Sequence, residues 1–233
     1  MTLSSIINEA LEKLRHQNPS ADTDFHVELG TDGVIVCGNQ FKFRHSFSEP
    51  QFLKRLIQPN QLLIKACTNK QRSIRTVLDL TGGWGMDSFM IAHNGREVTM
   101  LEQNQLVYAI TAHSLKCIET NPRLAQVARR ITALHSNGQA FLTDSVNNDQ
   151  FDCIYLDPMF PSHKSSAKPS KEMQLLQKMT TNVDIESVFK LALGQAKNRV
   201  VMKRPLKSPA FSDIQPDLVY REKTIRFDIY LTT

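Results

Sequence analysis

Residues 151–161 read FDCIYLDPMFP, an apolar run that stops at Asp157-Pro158-Met159-Phe160. That ending puts three useful groups at one strand terminus. A carboxylate and the carbonyls around a fixed-φ proline accept hydrogen bonds. The face of Phe160 can stack on a planar ring. Together Asp157, Pro158 and Phe160 have the chemistry to hold the amino group of a nucleobase beside an electrophile. The plainer alternative is a turn, since Asp and Pro after a strand commonly open one.

A second constellation begins at Asp79 and runs Asp79-Leu80-Thr81-Gly82-Gly83-Trp84-Gly85-Met86-Asp87. Gly82, Gly83 and Gly85 let the backbone turn sharply and approach a ligand where a Cβ would collide. Glu102 follows Asp79 by 23 residues, the place where an acid accepts hydrogen bonds from ribose hydroxyls in nucleotide-binding α/β sheets. A dinucleotide enzyme would satisfy this much. Ser88, however, stands where G-x-G-x-x-G requires its last glycine. Acids before and after the turn, Asp79 and Asp87, suit a ligand with a cationic amino-acid tail better than a pyrophosphate. Trp84 either lines the ligand pocket or covers the sheet edge, and the sequence leaves both open.

The elements that must position these groups follow a strand, turn, helix rhythm from Arg75 onward. TVLDLTGG is a buried strand entering a loop, and MDSFMIAHNG is a helix stopped by Asn94-Gly95. EVTMLEQN, ITALHSN, FDCIYLDP and RVVMKRP supply the second to fifth strands. LVYAITAHSLKCIETN and NVDIESVFKLALGQAKN read as helices, the latter capped near Asp184. LVYREK and IRFDIYLTT close the pattern as an antiparallel pair. Alternation of this kind predicts an α/β fold: a Rossmann-like, mostly parallel sheet with helices on both faces.

Ahead of it, Ile6, Ile7, Ala10, Leu11 and Leu14 share one face of an amphipathic helix. HVELGTDGVIVCGNQFKFR then alternates as two or three short antiparallel strands, and residues 49–70 read as helical. The sequence therefore divides into a small N-terminal α+β subdomain, residues 1–70, and a main domain, residues 71–233.

Totals narrow the function class. No run reaches the roughly 18 apolar residues of a membrane span, and the first residues lack the basic-then-apolar order of a signal peptide, so a cytoplasmic protein is expected. The four cysteines, Cys37, Cys67, Cys117 and Cys153, form no C-x-x-C pair, and the seven histidines do not cluster; no metal is expected. Residues 1–156 carry fifteen Lys/Arg and fifteen Asp/Glu, whereas residues 157–233 carry thirteen against eight. The whole net charge of +5 thus arises after the Asp157 segment. Its placement favours a polyanionic substrate, because lysines and arginines on phosphates release counterions. Lys203 and Arg204, after the fifth strand, are candidates for a phosphate-gripping rim, with Lys164, Lys168 and Lys171 on the polar stretch behind the Asp157 segment.

These segments carry a family likeness. From about residue 75 to 233 the chain resembles class I methyltransferases that use S-adenosylmethionine (SAM). More narrowly it resembles RsmJ, the bacterial small-subunit ribosomal RNA guanine-N2 methyltransferase family. The matching stretches are LDLTGGWGMDSF, MLEQN, YLDPMFP with HKSSAKPSKEM, VVMKRP and RFDIY. FKFRHSF and LLIKACTNK extend a weaker likeness toward the N-terminus. The resemblance implies SAM as cofactor and places its contacts on Met86 and Asp87, Glu102 and Gln103, Asn137 and Gly138, and Asp157. Methionine at 86 and glutamine at 103 depart from the family's arginines, and Asn137-Gly138 replaces a serine pair, so contacts there are expected through the backbone. The implied partner is small-subunit ribosomal RNA or the assembled small subunit. Two rivals stay open: another amino-methylating enzyme, acting on DNA adenine or a protein glutamine, and a non-catalytic RNA-binding module on the same fold.

Overall fold

The computed structural model describes residues 2–17, 25–38, 41–58, 61–68, 73–144, 151–158 and 184–232, arranged around two sheets. Helix α1 (Leu3–Gln17) precedes a small antiparallel sheet of β1 (Phe25–Leu29), β2 (Val34–Gly38) and β3 (Phe41–His45). Two short helices follow, α2 (Pro50–Leu56) and α3 (Leu62–Ala66), the first opened by Pro50, whose missing N–H costs nothing there. The alternating part begins with β4 (Thr76–Asp79), α4 (Met86–His93), β5 (Glu97–Glu102) and α5 (Gln105–Cys117). It continues with α6 (Ala125–Ala128), β6 (Ile131–His135), α7 (Gly138–Thr143) and β7 (Cys153–Leu156). Helix α8 (Ile185–Gln195), β8 (Arg199–Pro205), β9 (Leu218–Arg221) and β10 (Ile225–Leu231) come last.

The large sheet has seven strands in the order β6-β5-β4-β7-β8-β10-β9. The first five in that order pair in parallel, and β10 runs antiparallel to both its neighbours. Starting from β4, the chain builds outward through β5 and β6, then returns to lay β7 on the other side. Beyond the carboxyl ends of β4 and β7 lies the crevice where open α/β sheets bind ligands. Asp79 is the last residue of β4, and Asp157 directly follows β7. Short helices α6 and α7 were not expected from the sequence, having too few residues to show a period.

Consecutive strand residues enter opposite cores, as a two-residue period requires. Val77, Cys153, Tyr155, Val201, Phe227 and Ile229 join Phe89 and Ile91 of α4 in one layer. Leu78, Ile154, Leu156, Val200, Met202 and Tyr230 join Val188, Phe189 and Ala192 of α8 in the other. Helices on both faces are what the sequence rhythm predicted.

A third core holds Ile7, Ala10 and Leu11 of α1, Val34, Val36 and Phe43 of the small sheet, and Leu106, Val107, Ala109 and Ile110 of α5. The small sheet therefore rests on a helix of the large one. Phe52, Leu56, Leu63 and Ala66, by contrast, are buried with Val77 and Phe89 beneath the large sheet. We accordingly propose a boundary near residue 46 instead of residue 70, because α2 and α3 have their core partners in the main domain. Among the described residues, no helix is long and apolar enough to cross a membrane.

Candidate active site

Two glycines show why the turn after β4 has its composition. Gly85 caps α4 with φ 71°, a left-handed conformation, and a Cβ there would lie 2.9 Å from the Thr111 methyl. A Cβ on Gly82 would collide with the Met100 side chain and come within 2.9 Å of the Leu101 carbonyl oxygen. The loop is thus pressed onto β5, where the Gly82 N–H donates to the Leu101 carbonyl at 2.8 Å. Trp84, left open by the sequence, turns toward the small sheet: its ring lies 5.6 Å from Phe43 and 5.3 Å from His45. His45 itself is buried among these rings, and burial pulls its pKa down to about 3, so it is neutral.

Glu102 anchors the same loop from β5. One carboxylate oxygen accepts from the Gly83 N–H at 2.9 Å and the other from the Asn104 N–H at 2.6 Å. Burial raises its pKa, and these backbone donors oppose the rise. Each oxygen retains a second lone pair. Gln103 and Asn137 meet directly: the Asn137 amide donates to Gln103 Oε1 at 3.0 Å while Asn137 Oδ1 caps α7 through Gln139 and Ala140. Gly138 opens α7 with room for ordinary contact against Leu80. The partly buried Met86 side chain packs against the main core.

Asp79 is buried, 1% exposed, and accepts from Ser88 Oγ at 2.6 Å and from the Thr81 N–H at 3.0 Å. Burial pushes its pKa up to about 7 against the pull of those donors. The folded protein therefore holds this proton more tightly than the unfolded chain does. Its contribution to stability is full below about pH 4 and is lost as pH rises through about 7. Asp79→Asn removes the titration, so the variant's melting temperature should gain on the wild type between pH 4 and pH 8.5. The gain is on the order of 4 kcal/mol, or about 10 °C. Thermal denaturation across that range checks it, and a constant difference between the two proteins would refute the assignment.

Three elements converge on a single ammonium. Lys203, from β8, donates to Oδ2 of Asp87 and to Oδ2 of Asp157, both at 2.8 Å. Asp87, in the first turn of α4, also accepts from the Tyr155 hydroxyl at 2.7 Å. Burial works to raise Asp87, but the Lys203 ammonium and the Tyr155 hydroxyl overcome it and leave the carboxyl below its usual range. For Asp157 burial wins over Lys203, with repulsion from Asp87 adding to it, and the pKa stands at about 6. Because 38% of the Asp157 side chain remains exposed, water moderates that rise. Its backbone N–H donates to Thr81 Oγ1 at 2.6 Å, which ties the end of β7 to the glycine loop. Pro158 is buried beside it.

Lys203 and Arg204 do not form the solvent-facing rim expected of them. The Arg204 side chain is 4% exposed and pairs with buried Asp228 at 3.6 Å, stacked over Phe211. Lys203 spends its ammonium on the two carboxylates. Neighbours on a strand face opposite sides, so one pair of adjacent cations cannot line one rim. Phe160 and the lysines at 164, 168 and 171 lie outside the described residues. Sequence reasoning missed Tyr155, Thr81 and Ser88. A tyrosine within an apolar strand was the available signal, since its buried hydroxyl needs a partner. On the small sheet, cross-strand pairing brings ligand atoms of His26, Glu28 and Cys37 within 4.8 Å of one another, a grouping hidden from linear spacing.

Comparison with known proteins bears on the family and the fold. A family model described as "Putative SAM-dependent methyltransferase" matches residues 43–232. A protein of Coxiella burnetii named Ribosomal RNA small subunit methyltransferase J is 36% identical over 173 residues, 74% of this chain and 66% of that protein. One of the same name from Marinobacter nauticus is 37% identical over 172 residues, 73% of this chain and 62% of its own length. Another, from Francisella tularensis subsp. novicida, is 27% identical across 89% of this chain and 87% of that protein. The chain thus spans just under two thirds of the first two relatives. Among solved structures, a SAM-dependent methyltransferase from Neisseria gonorrhoeae superposes with a TM-score of 0.71 at 26% identity, covering 96% of this chain and 91% of the other.

Proposed function

The chain belongs to the SAM-dependent methyltransferase family, and on that premise we propose that it transfers a methyl group from SAM to the exocyclic N2 amine of a guanosine in small-subunit ribosomal RNA. Relatives named for small-subunit ribosomal RNA methylation support the substrate, as does the excess of cations after Asp157. The observation that carries the chemistry is Asp157 at the switch between β4 and β7, on the same ammonium as Asp87. A ribosomal RNA substrate goes with action in the cytoplasm.

The residues present fit a cationic cofactor. Asp79, Asp87 and Asp157 bring three carboxylates to one sheet edge, with Glu102 buried at the end of β5. Asp87 suits the amino-acid tail, with Asp79 buried behind it holding the turn through Thr81 and Ser88, Glu102 suits the ribose, and Gly82, Gly83 and Gly85 allow close backbone approach. Gln103, Asn137 and Gly138 frame the adjoining edge, and backbone groups at Met86 complete it. Bound SAM supplies an electrophilic methyl on a sulfonium.

The rest is the protein's task. Guanine N2 is a poor nucleophile because its lone pair is delocalised into the ring. Asp157 and the Pro158 carbonyl region accept its N–H groups, favouring a pyramidal amine and aiming the lone pair. Asp157 need not be a strong base, since the amine becomes acidic only as the methyl arrives. It must be ionised to accept, so turnover rises as pH passes through about 6. Much of the acceleration comes from holding the two reactants in line. A base within a duplex cannot enter such a site, so the target guanosine is unpaired or flipped out.

Phe160 is assigned the stacking face. Phe160→Ala should lower kcat/KM for RNA by roughly 10- to 100-fold while leaving SAM affinity within about twofold. Equal losses of SAM binding and RNA turnover in calorimetry and kinetics would make it a core residue instead. The function itself is tested by mass spectrometry of small-subunit ribosomal RNA from cells lacking the protein, where one methylguanosine should disappear. Labelled SAM offered with small subunits, duplex DNA or a release factor then separates the proposal from adenine or glutamine methylation. A protein that binds SAM and labels none of them would revert to a binding module.

A further inference from the structure

Resting on that reading, we propose that Lys203 is a positioning residue of the transfer: its ammonium clamps Asp157 to Asp87 and keeps Asp157 charged as the amine acceptor. The geometry has three parts. Leu156 and Met202 form the last rung between β7 and β8, and Asp157 and Lys203 each stand one residue beyond it. Lys203 Nζ lies 2.8 Å from one oxygen of each carboxylate, with 21% of its side chain exposed. The Asp87 oxygen that it contacts is also the one that takes the Tyr155 hydroxyl. Acceptor segment, cofactor turn and sheet are therefore joined through one cation.

Removing that cation would leave two carboxylates sharing a half-buried site, an arrangement that forces proton uptake by one of them. The groups around Asp157 offer little replacement. Asp87 from α4 and Asp79 from β4 repel its charge, and Tyr155 from β7 is neutral and already committed to Asp87. Arg55 of α2 acts on Asp87 from an exposed position. Even with Lys203 in place Asp157 stands at about 6, so its loss carries the acceptor into the working pH range. A phosphate-gripping lysine would behave otherwise, weakening RNA binding equally at every pH.

Lys203→Met is the test, with Lys203→Gln in its place if the first variant does not fold and Lys203→Arg as the rescue. With SAM and small subunits saturating, the acid limb of kcat should move up by about one pH unit or more in Lys203→Met. The variant then loses about threefold or more at pH 6.5, recovers most of it by pH 9, and Lys203→Arg returns the limb toward wild type. Carbon-13 NMR of labelled aspartates reads the Asp157 titration directly in the free protein and should show the same upward shift. A shift in the NMR titration without any RNA methylation by the wild type would sink the functional reading, and with it the role in transfer, while leaving the coupling of Lys203 to Asp157 standing. An unmoved titration, or a pH-independent loss confined to KM for RNA, would overturn the assignment.

Discussion

Asp157→Ala is expected to lower methyl transfer by roughly 10²- to 10³-fold, the scale on which loss of one preorganised hydrogen-bonding group acts in a closed site. The fold should survive. With 38% of the side chain exposed, little packing is lost, and the backbone N–H keeps its bond to Thr81 Oγ1. Lys203 retains Asp87 as a partner, so no cation is orphaned. Single-turnover transfer from labelled SAM to small subunits measures the loss, with melting temperature as the control. An unchanged single-turnover rate would remove Asp157 from the chemistry.

The second large effect concerns stability. Asp228→Ala should cost roughly 3–5 kcal/mol, because truncating one partner strands the buried charges it neutralised. Asp228 is 2% exposed and lies between Arg226, at 2.8 Å, and Arg204, at 3.6 Å. Arg226 further donates to the carbonyls of Leu206 and Ser208, so the network also fastens the chain leaving β8. A domain is typically stable by only about 5–15 kcal/mol. The melting temperature should therefore fall by about 10 °C, and residues 206–208 should lose protection in hydrogen exchange. A fall below about 2 °C would mean that water reaches the two guanidinium groups and screens them.

The RFDIY segment shows how motif and role can part. Within the family likeness it reads as a signature, yet Phe227, Ile229 and Tyr230 are core residues and Asp228 is a counter-ion. VVMKRP behaves similarly: Val200, Val201 and Met202 are buried, Lys203 belongs to the site and Arg204 to the Asp228 network. The linear pattern marked both segments as important. It could not say which residues served chemistry, because that depends on the strands that become neighbours.

The boundary proposed near residue 46 turns on a related point. Within residues 49–70, helices form at Pro50–Leu56 and Leu62–Ala66, but an apolar helical face does not name its partner. Phe52 and Leu63 pack under the large sheet, and Arg199 of β8 donates to the carbonyls of Ala66 and Thr68, binding the end of α3 to the main domain. The cross-strand set of His26, Glu28 and Cys37 was invisible for the same cause.

The sequence by itself determined the strand, turn and helix rhythm, the glycine turn, and the acids at the ends of β4, β5 and β7. Those features are local, written in periods of two and 3.6 and in residues that only certain turns accept. Tertiary structure decided what the acids meet. Placing β8 beside β7 delivers Lys203 to Asp157, and placing β10 beside β8 delivers Asp228 to Arg204. Burial then moves Asp79 to about 7 and Asp157 to about 6. Charge and hydrogen-bond partners are properties of neighbours in space, and strand order, which a linear pattern does not contain, chooses those neighbours.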